Sequence, residues 1–314
     1  MIHDPVFQMF ASGVIALLVL FSLIGLVLSK TTKSASGQET VANLNARIRS
    51  WWVMIVIFLL AVLAGRFVTL ILFGLLSFMS LREFLTLTPT RRSDHWLLAL
   101  VFYTIIPAQY YLIGIDWYGL FSIFIPVYAF LLLPALAALM GDTQHFLMRA
   151  AKVQWGLMLA VFAISHAPAL MMLEIPGWEM PPAFLLFYLL TVVQMSDVMQ
   201  YVCGKLFGRR KLAPSVSPSK TLEGLLGGGL CATLGGTLLY VITPFTPWQA
   251  AGMSLAIVIW GFLGGLVLSA IKRDLGVKDW GSAIAGHGGV LDRLDSVAFA
   301  APIFFHMTRY WFTP

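Results

Sequence analysis

Residues 51–80 read WWVMIVIFLLAVLAGRFVTLILFGLLSFMS, thirty residues whose one charge, Arg66, lies at their middle. Basic residues flank the stretch on both sides: Lys30, Lys33, Arg47 and Arg49 before it, Arg82, Arg91 and Arg92 after it. Lysine and arginine collect in the cytoplasmic loops of membrane proteins, so both flanks belong on one side of the bilayer. The chain between them must then cross an even number of times. Residues 51–80 are therefore expected to form a short helical hairpin turning near Gly65-Arg66. At 1.5 Å per residue, arms of about 15 residues reach only roughly 22 Å each, so the hairpin is expected to be shallow. A single long tilted helix is the alternative, and it would invert everything upstream.

Outside this stretch the pattern is plainer. With 59% hydrophobic and 11% charged residues the chain cannot be a water-soluble domain, which carries roughly 25% charged residues. Further apolar stretches at 8–29, 95–113, 117–139, 153–173, 182–203, 222–243, 248–271 and 295–312 are long enough to span. The expected fold is an all-α polytopic membrane helix bundle of about ten transmembrane helices, with both termini outside the cytoplasm. Residues 8–29 lack a basic start and a small-residue cleavage site, so they read as a permanent span and not a removed signal peptide. Residues 30–50 read as a polar linker with one interfacial helical turn at Ile48, Trp51 and Trp52. The division expected is 1–50 as an added helix and linker, 51–180 as an N-terminal bundle, and 181–314 as a catalytic region.

The net charge of +6 sits mainly in short loops. Topology accounts for it, and no nucleic-acid partner is implied. The connectors 114–116, 174–181 and 244–247 carry no basic residue and belong on the opposite side. Cys203 and Cys231 have no metal-type spacing.

Two segments carry charge that topology does not need. Asp197 interrupts an apolar span, at a cost of roughly 2.5 to 3.5 kcal/mol for a carboxyl at membrane depth. Helical spacing aligns it with Gln200, Tyr201, Gly204 and Gly208. An interhelical hydrogen bond would explain it without chemistry; intramembrane carboxyls are more often functional. The following loop offers five cations, Lys220 among them, and the run Ser217, Pro218, Ser219, Lys220 and Thr221. Hydroxyl and ammonium groups of this kind hold phosphate oxygens, and Thr221 at a helix start would suit an anion.

The densest set lies near the C-terminus. Eight charges fall within 24 residues: Lys272, Arg273, Asp274, Lys278, Asp279, Asp292, Arg293 and Asp295, with His287-Gly288-Gly289 between them. Carboxylates hold a hard cation while bases neutralise phosphate oxygens, so the mixture suits magnesium plus phosphates. Gly288 and Gly289 would let backbone approach a phosphate closely.

The run from Ser269 through Lys272-Arg273, Lys278-Asp279, Gly281 and His287-Gly288-Gly289 to Asp292-Arg293 and Asp295 resembles the characteristic motif of the phosphatidate cytidylyltransferase family. The block from Asp197 to Gly224 is similar to a second block of that family, through Tyr201, Gly204, Gly208, Pro214, Ser217-Pro218, Lys220-Thr221 and Glu223. The resemblance covers about 180–314 firmly; upstream it rests on hydropathy and Arg82-Glu83-Phe84. It implies that phosphatidate attacks the α-phosphorus of CTP, giving CDP-diacylglycerol and pyrophosphate in a bacterial inner membrane, at a site on the cytoplasmic side. It implies Asp292 as principal magnesium ligand, with Asp279, Asp295 and Asp197 as further ligands. Catalytic roles are expected for Asp292, Lys272, Arg273, Lys278, Asp279 and Arg293. Substrate contacts are expected from Lys220, Ser217, Thr221, His287, Gly288 and Gly289. A homodimer is a further expectation.

The chain departs from the pattern at Gly265 and Leu268, where the family carries an aspartate and a glutamate, and at Ser196 and Gln200. The lost aspartate is a ligand expected in a two-metal centre. The alternative reading is a paralogue that binds anionic lipid or nucleotide without turnover, or acts on another lipid phosphate. A transporter is a third class, and no repeated halves are visible to support it.

Overall fold

The computed structural model describes residues 5–314 apart from 33, 89, 90, 285 and 287. Ten long helices fill the described chain: α1 Pro5–Thr31, α2 Ala35–Leu63, α3 Arg66–Thr86, α4 Arg92–Gly114, α5 Tyr118–Leu139, α6 Phe146–Met172, α7 Ala183–Phe207, α8 Leu222–Ile242, α9 Pro247–Asp274 and α10 Leu291–Phe312. Nine of these, α1 to α9, are long and apolar enough to cross a membrane among the described residues. The 22-residue α10 has the length too, with Asp292, Arg293 and Asp295 in its first turns. The protein is an all-α polytopic membrane bundle. Among the described residues one small sheet pairs β1, Lys211–Ala213, antiparallel to β2, Ser217–Thr221, between α7 and α8.

The hairpin turns where the sequence places it. Gly65, at a φ of +107°, separates α2 from α3 in a conformation that residues with a Cβ resist. Arg66, just past the turn, forms an ion pair with Asp116 in the α4–α5 connector. Arg47 within α2 and Glu83 near the end of α3 both reach the segment between α9 and α10. Arg47 Nε donates to the Gly286 carbonyl at 3.1 Å, and Glu83 accepts from the nearby Val290 and Leu291 amides.

The arms are longer than expected. Residues 30–50 are not a linker, since α2 starts at Ala35 and runs 29 residues, and α3 runs 21. Ser34 caps α2 by accepting from the Gly37 amide at 3.2 Å, and an Arg47–Asn43 hydrogen bond at 3.2 Å supports it one turn apart. At 1.5 Å per residue α3 alone spans about 31 Å, the thickness of a hydrocarbon core. The polar half of α2 lacks apolar periodicity, so its composition alone reads as a linker.

Two further kinds of contact order the bundle. Small residues let α7 and α8 meet backbone to backbone: a methyl group on Gly224 would lie 2.8 Å from the Gln200 carbonyl and 3.0 Å from Gly204 Cα. At the loop end, Asp94, Asp142, Arg91 and Arg149 form an ion-pair cluster. A hydrogen bond from Ser93 holds the Asp142 carboxyl below its usual range, with the two arginines adding to the effect. Arg149 donates twice to the buried Asp94, at 3.0 and 2.7 Å. Removing one partner of such a pair leaves the other charge unmatched, so Arg149→Met should lower stability by about 3 kcal/mol, read as a drop in Tm of the detergent-solubilised protein.

Candidate active site

Glu83, at the end of α3, sets the frame. Its carboxylate accepts from the amides of Val290 and Leu291, both at 2.9 Å, where α10 begins. These amides have no partner within the helix, and negative charge is favoured at a helix start. Next to it, Phe84 stacks on the buried Trp280 with ring centroids 5.2 Å apart. The α9–α10 loop is thus clamped onto the N-terminal helices. Gly281 and Gly289 are glycines because Glu83 fills the space beside them: a methyl group on either would lie 2.9 Å from Glu83 Oε1 or 2.7 Å from its Cδ, respectively. Glu83 is tethered by its two amide bonds and cannot retreat. Gly289→Ala should therefore cost about 1 to 3 kcal/mol, measurable by thermal unfolding.

Asp292 is the anchor inside that loop. Its Oδ1 accepts from Lys272 Nζ at 2.7 Å, and its Oδ2 from the amides of Trp280 at 2.8 Å and Gly289 at 2.9 Å. Both Asp292 and Lys272 are buried. Gly288, at a φ of +82°, makes room for this carboxylate: a methyl group there would lie 2.8 Å from Asp292 Oδ2 and 3.3 Å from Asp279 Cβ. The glycine pair brings backbone close to an anion, and in this structure the anion is Asp292.

One turn along α10 the charges are open. Asp197 on α7 is exposed and Asp295 on α10 is half-buried. Ser296 bridges them, its Oγ donating to Asp197 Oδ1 at 3.1 Å and its amide to Asp295 Oδ1 at 2.7 Å. From the end of β2, Lys220 reaches across to donate to the Phe262 carbonyl at 3.3 Å, its ammonium 4.5 Å from the Phe262 ring centroid. Burial pulls the Lys220 ammonium below the usual lysine range, against the raising pull of Asp295 and Asp197. Arg293 Nε is buried without an acceptor among the described residues. An unfilled guanidinium N–H, a lysine and two bridged carboxylates form a crevice suited to a phosphate-bearing ligand.

Gly265 on α9 faces this crevice: a methyl group there would lie 2.8 Å from Lys220 Nζ and 3.7 Å from both Asp295 Oδ2 and Ser296 Oγ. Leu268, one turn further along α9, is fully buried in the main core.

The remaining candidates are placed apart from the crevice. Arg273 Nε donates to the Val216 carbonyl at 3.3 Å and its Nη1 to the Val277 carbonyl at 3.0 Å, tying the β-hairpin to the loop after α9. Thr221 caps α8 by accepting from the Gly224 amide at 3.1 Å, and Ser217 is buried. Lys278 and Asp279 are exposed. His287 lies outside the described residues. Among the described residues no three His, Cys, Asp or Glu side chains gather as a metal-binding set. Magnesium needs only one or two carboxylates when substrate oxygens and water complete its shell, and Asp197 with Asp295 meets that need.

Sequence reasoning places Glu83, Glu223 and Ser296 among the motif residues without giving them a role, and reads Arg47 only as a topological charge. Glu223 accepts from the Arg209 amide at 2.9 Å and the Arg210 amide at 3.1 Å, holding the basic loop in place. Glu83 had a signal: a lone carboxylate ends an otherwise apolar helix.

The sequence profile of the cytidylyltransferase family matches residues 45–311. This chain belongs to that family. Cytidylyltransferases are nucleotidyltransferases, and the match takes in every charged group of the crevice. The chain is 41% identical to the uncharacterized protein YnbB of Escherichia coli strain K12, over 94% of this chain and 96% of that one. It is 40% identical to a phosphatidate cytidylyltransferase of Staphylococcus aureus over 38% of this chain and 46% of that one. A phosphatidate cytidylyltransferase of Mycobacterium leprae is 43% identical over 37% of this chain and 38% of its own length. The chain thus matches less than half of the length of these two named enzymes.

Proposed function

We propose that this cytidylyltransferase condenses CTP with phosphatidate, giving CDP-diacylglycerol and pyrophosphate, at the cytoplasmic face of a bacterial inner membrane. The observation that carries the reading is the crevice itself: Asp197 and Asp295, bridged by Ser296, open beside Lys220 and the unfilled Arg293 N–H. In the reaction a phosphatidate oxygen attacks the α-phosphorus of CTP, and the bond from that phosphorus to the β-phosphate bridge breaks, releasing pyrophosphate. Transfer of this kind needs alignment and charge neutralisation more than covalent catalysis.

Lys220 and Arg293 would neutralise non-bridging oxygens of the triphosphate. The Lys272–Asp292 pair would hold the loop that carries Arg293 and Asp295. Asp197 and Asp295 would hold a magnesium ion, which when bound supplies Lewis-acid stabilisation of the phosphate charge. The lipid headgroup reaches the crevice from the bilayer surface, which suits the exposure of Asp197 on a membrane helix. A second reading, transfer to another lipid phosphate or binding without turnover, draws on Gly265 and Leu268 and on the partial match to the named enzymes.

The experiment is pyrophosphate release by purified protein with CTP, magnesium and phosphatidate, against lysophosphatidate and polyprenyl phosphate. Release with phosphatidate, lost in Asp295→Asn, supports the proposal. Release with another lipid phosphate alone, or CTP binding with no release, supports the second reading.

A further inference from the structure

The last turn of α10 carries Arg309, a charge that no carboxylate answers among the described residues. It lies roughly 26 Å along the helix from Asp292 at 1.5 Å per residue, which puts it at the membrane face opposite the crevice. Its guanidinium lies over the ring of Tyr118, the first residue of α5, with Cζ 3.7 Å from the ring centroid. Arg66 at the same face differs, because it pairs with Asp116 two residues before Tyr118. The acidic group of the α4–α5 connector is thus engaged elsewhere.

Two more donors adjoin the guanidinium. His306 lies one turn before Arg309, half-buried, its ring 6.2 Å from that of Tyr118 and 5.1 Å from that of the buried His166. His166 Nδ1 donates to the Phe162 carbonyl at 2.7 Å and its Nε2 is buried without a partner, so the two imidazoles do not satisfy each other. Among the described residues the side chains of Arg309, His306 and Tyr118 make no hydrogen bond. They offer a guanidinium fork, a ring N–H and a phenolic O–H in one place. Donors gathered without an acceptor suit an anion.

The surroundings indicate which anion. Trp117 beside Tyr118, and Tyr310 and Trp311 beside Arg309, are exposed, and exposed aromatic rings of a membrane protein sit at headgroup level. Lipid phosphates lie at the same level, and a guanidinium meets two phosphate oxygens with its planar fork. With Asp116 held by Arg66, the place has no carboxylate to receive the ammonium of a zwitterionic headgroup. We propose that Arg309, with His306 and Tyr118, binds the phosphate of an anionic phospholipid from the leaflet opposite the crevice. The site stands apart from cytidylyl transfer and does not rest on that reading.

The test is native mass spectrometry of delipidated full-length protein, titrated with phosphatidylglycerol, phosphatidylethanolamine or inorganic phosphate. Wild type should hold one phosphatidylglycerol per chain that Arg309→Gln holds about tenfold less tightly, the worth of one hydrogen bond to a charged group. Arg309→Lys keeps the charge without the fork and should recover part of the loss. His306→Phe and Tyr118→Phe keep the rings and should each weaken that lipid about threefold, the worth of one neutral donor. Lys205→Gln, which removes an exposed cation at the crevice end of α7, should hold the same lipid as wild type does.

Phosphatidylglycerol binding unchanged in Arg309→Gln, or weakened equally in Lys205→Gln, would overturn the proposal. So would phosphatidylethanolamine held as tightly at this place. Inorganic phosphate that displaces the lipid at equal concentration would make the ligand a free anion and overturn it as well. If Arg309→Gln fails to fold, His306→Phe and Tyr118→Phe still decide.

Discussion

Asp292→Asn should lower cytidylyl transfer about a thousandfold, at the upper end of what one electrostatic contact contributes, and should also lower stability by about 3 kcal/mol. An asparagine can keep its carbonyl oxygen on the Trp280 and Gly289 amides, which now meet Asp292 Oδ2. Its amide nitrogen would then face Lys272 Nζ, donor against donor, where Oδ1 now accepts at 2.7 Å. The cost is that of a buried lysine left without its partner. Adding Lys272→Met removes the stranded charge, so the double variant should regain most of the lost Tm. It should not regain turnover, because the loop bearing Arg293 and Asp295 loses the charge pattern that orients it. Thermal unfolding and steady-state kinetics on the same preparations separate the two effects. Recovered turnover in the double variant would reduce the pair to a packing element.

Glu83→Ala should be the next largest change, although Glu83 touches no group of the crevice directly. Its carboxylate is the acceptor for the Val290 and Leu291 amides, at the cap and first residue of α10. A hydrogen bond to a charged group is worth about 1.5 to 3 kcal/mol, so losing both should destabilise the fold by about 3 kcal/mol after water fills part of the gap. Because α10 carries Asp295 and Ser296 into the crevice, a shift of its first turn by about 1 Å should cost about a hundredfold in turnover. Glu83 is a positioning residue, so kcat and KM should move together. Glu83→Gln keeps one acceptor oxygen and should recover part of both losses. A Glu83→Ala protein with wild-type kinetics and only a lower Tm would confine Glu83 to stability.

The membrane character and the hairpin were legible because charge asymmetry and apolar length act over many residues at once. Gly65 marked the turn for a physical reason, its positive φ. The polar half of α2 was not legible: Ser34 and the Asn43–Arg47 pair support it locally, and no apolar stripe announces it. The candidate site was legible as a set of residue types and not as an arrangement. Asp292, Lys272 and Gly288 were found by charge and glycine spacing, yet the loop conformation spends them mainly on one another. Asp197 stood out because a carboxyl inside an apolar span needs a reason, and the structure supplies Ser296 and Asp295 as its company. Ser296 lay within the charged C-terminal set, but nothing in the sequence said that its hydroxyl would reach Asp197. Glu83, more than two hundred residues upstream of its partners, could be linked to them only by the folded bundle.

The measurement that tests the central claim most directly is transfer of label from CTP carrying ³²P in its α-phosphate into the lipid extract of vesicles containing phosphatidate and the purified protein. Label should enter a lipid that carries cytidine, in step with pyrophosphate release, and Asp295→Asn should abolish both. Label that stays in the aqueous phase while CTP is demonstrably bound would contradict it.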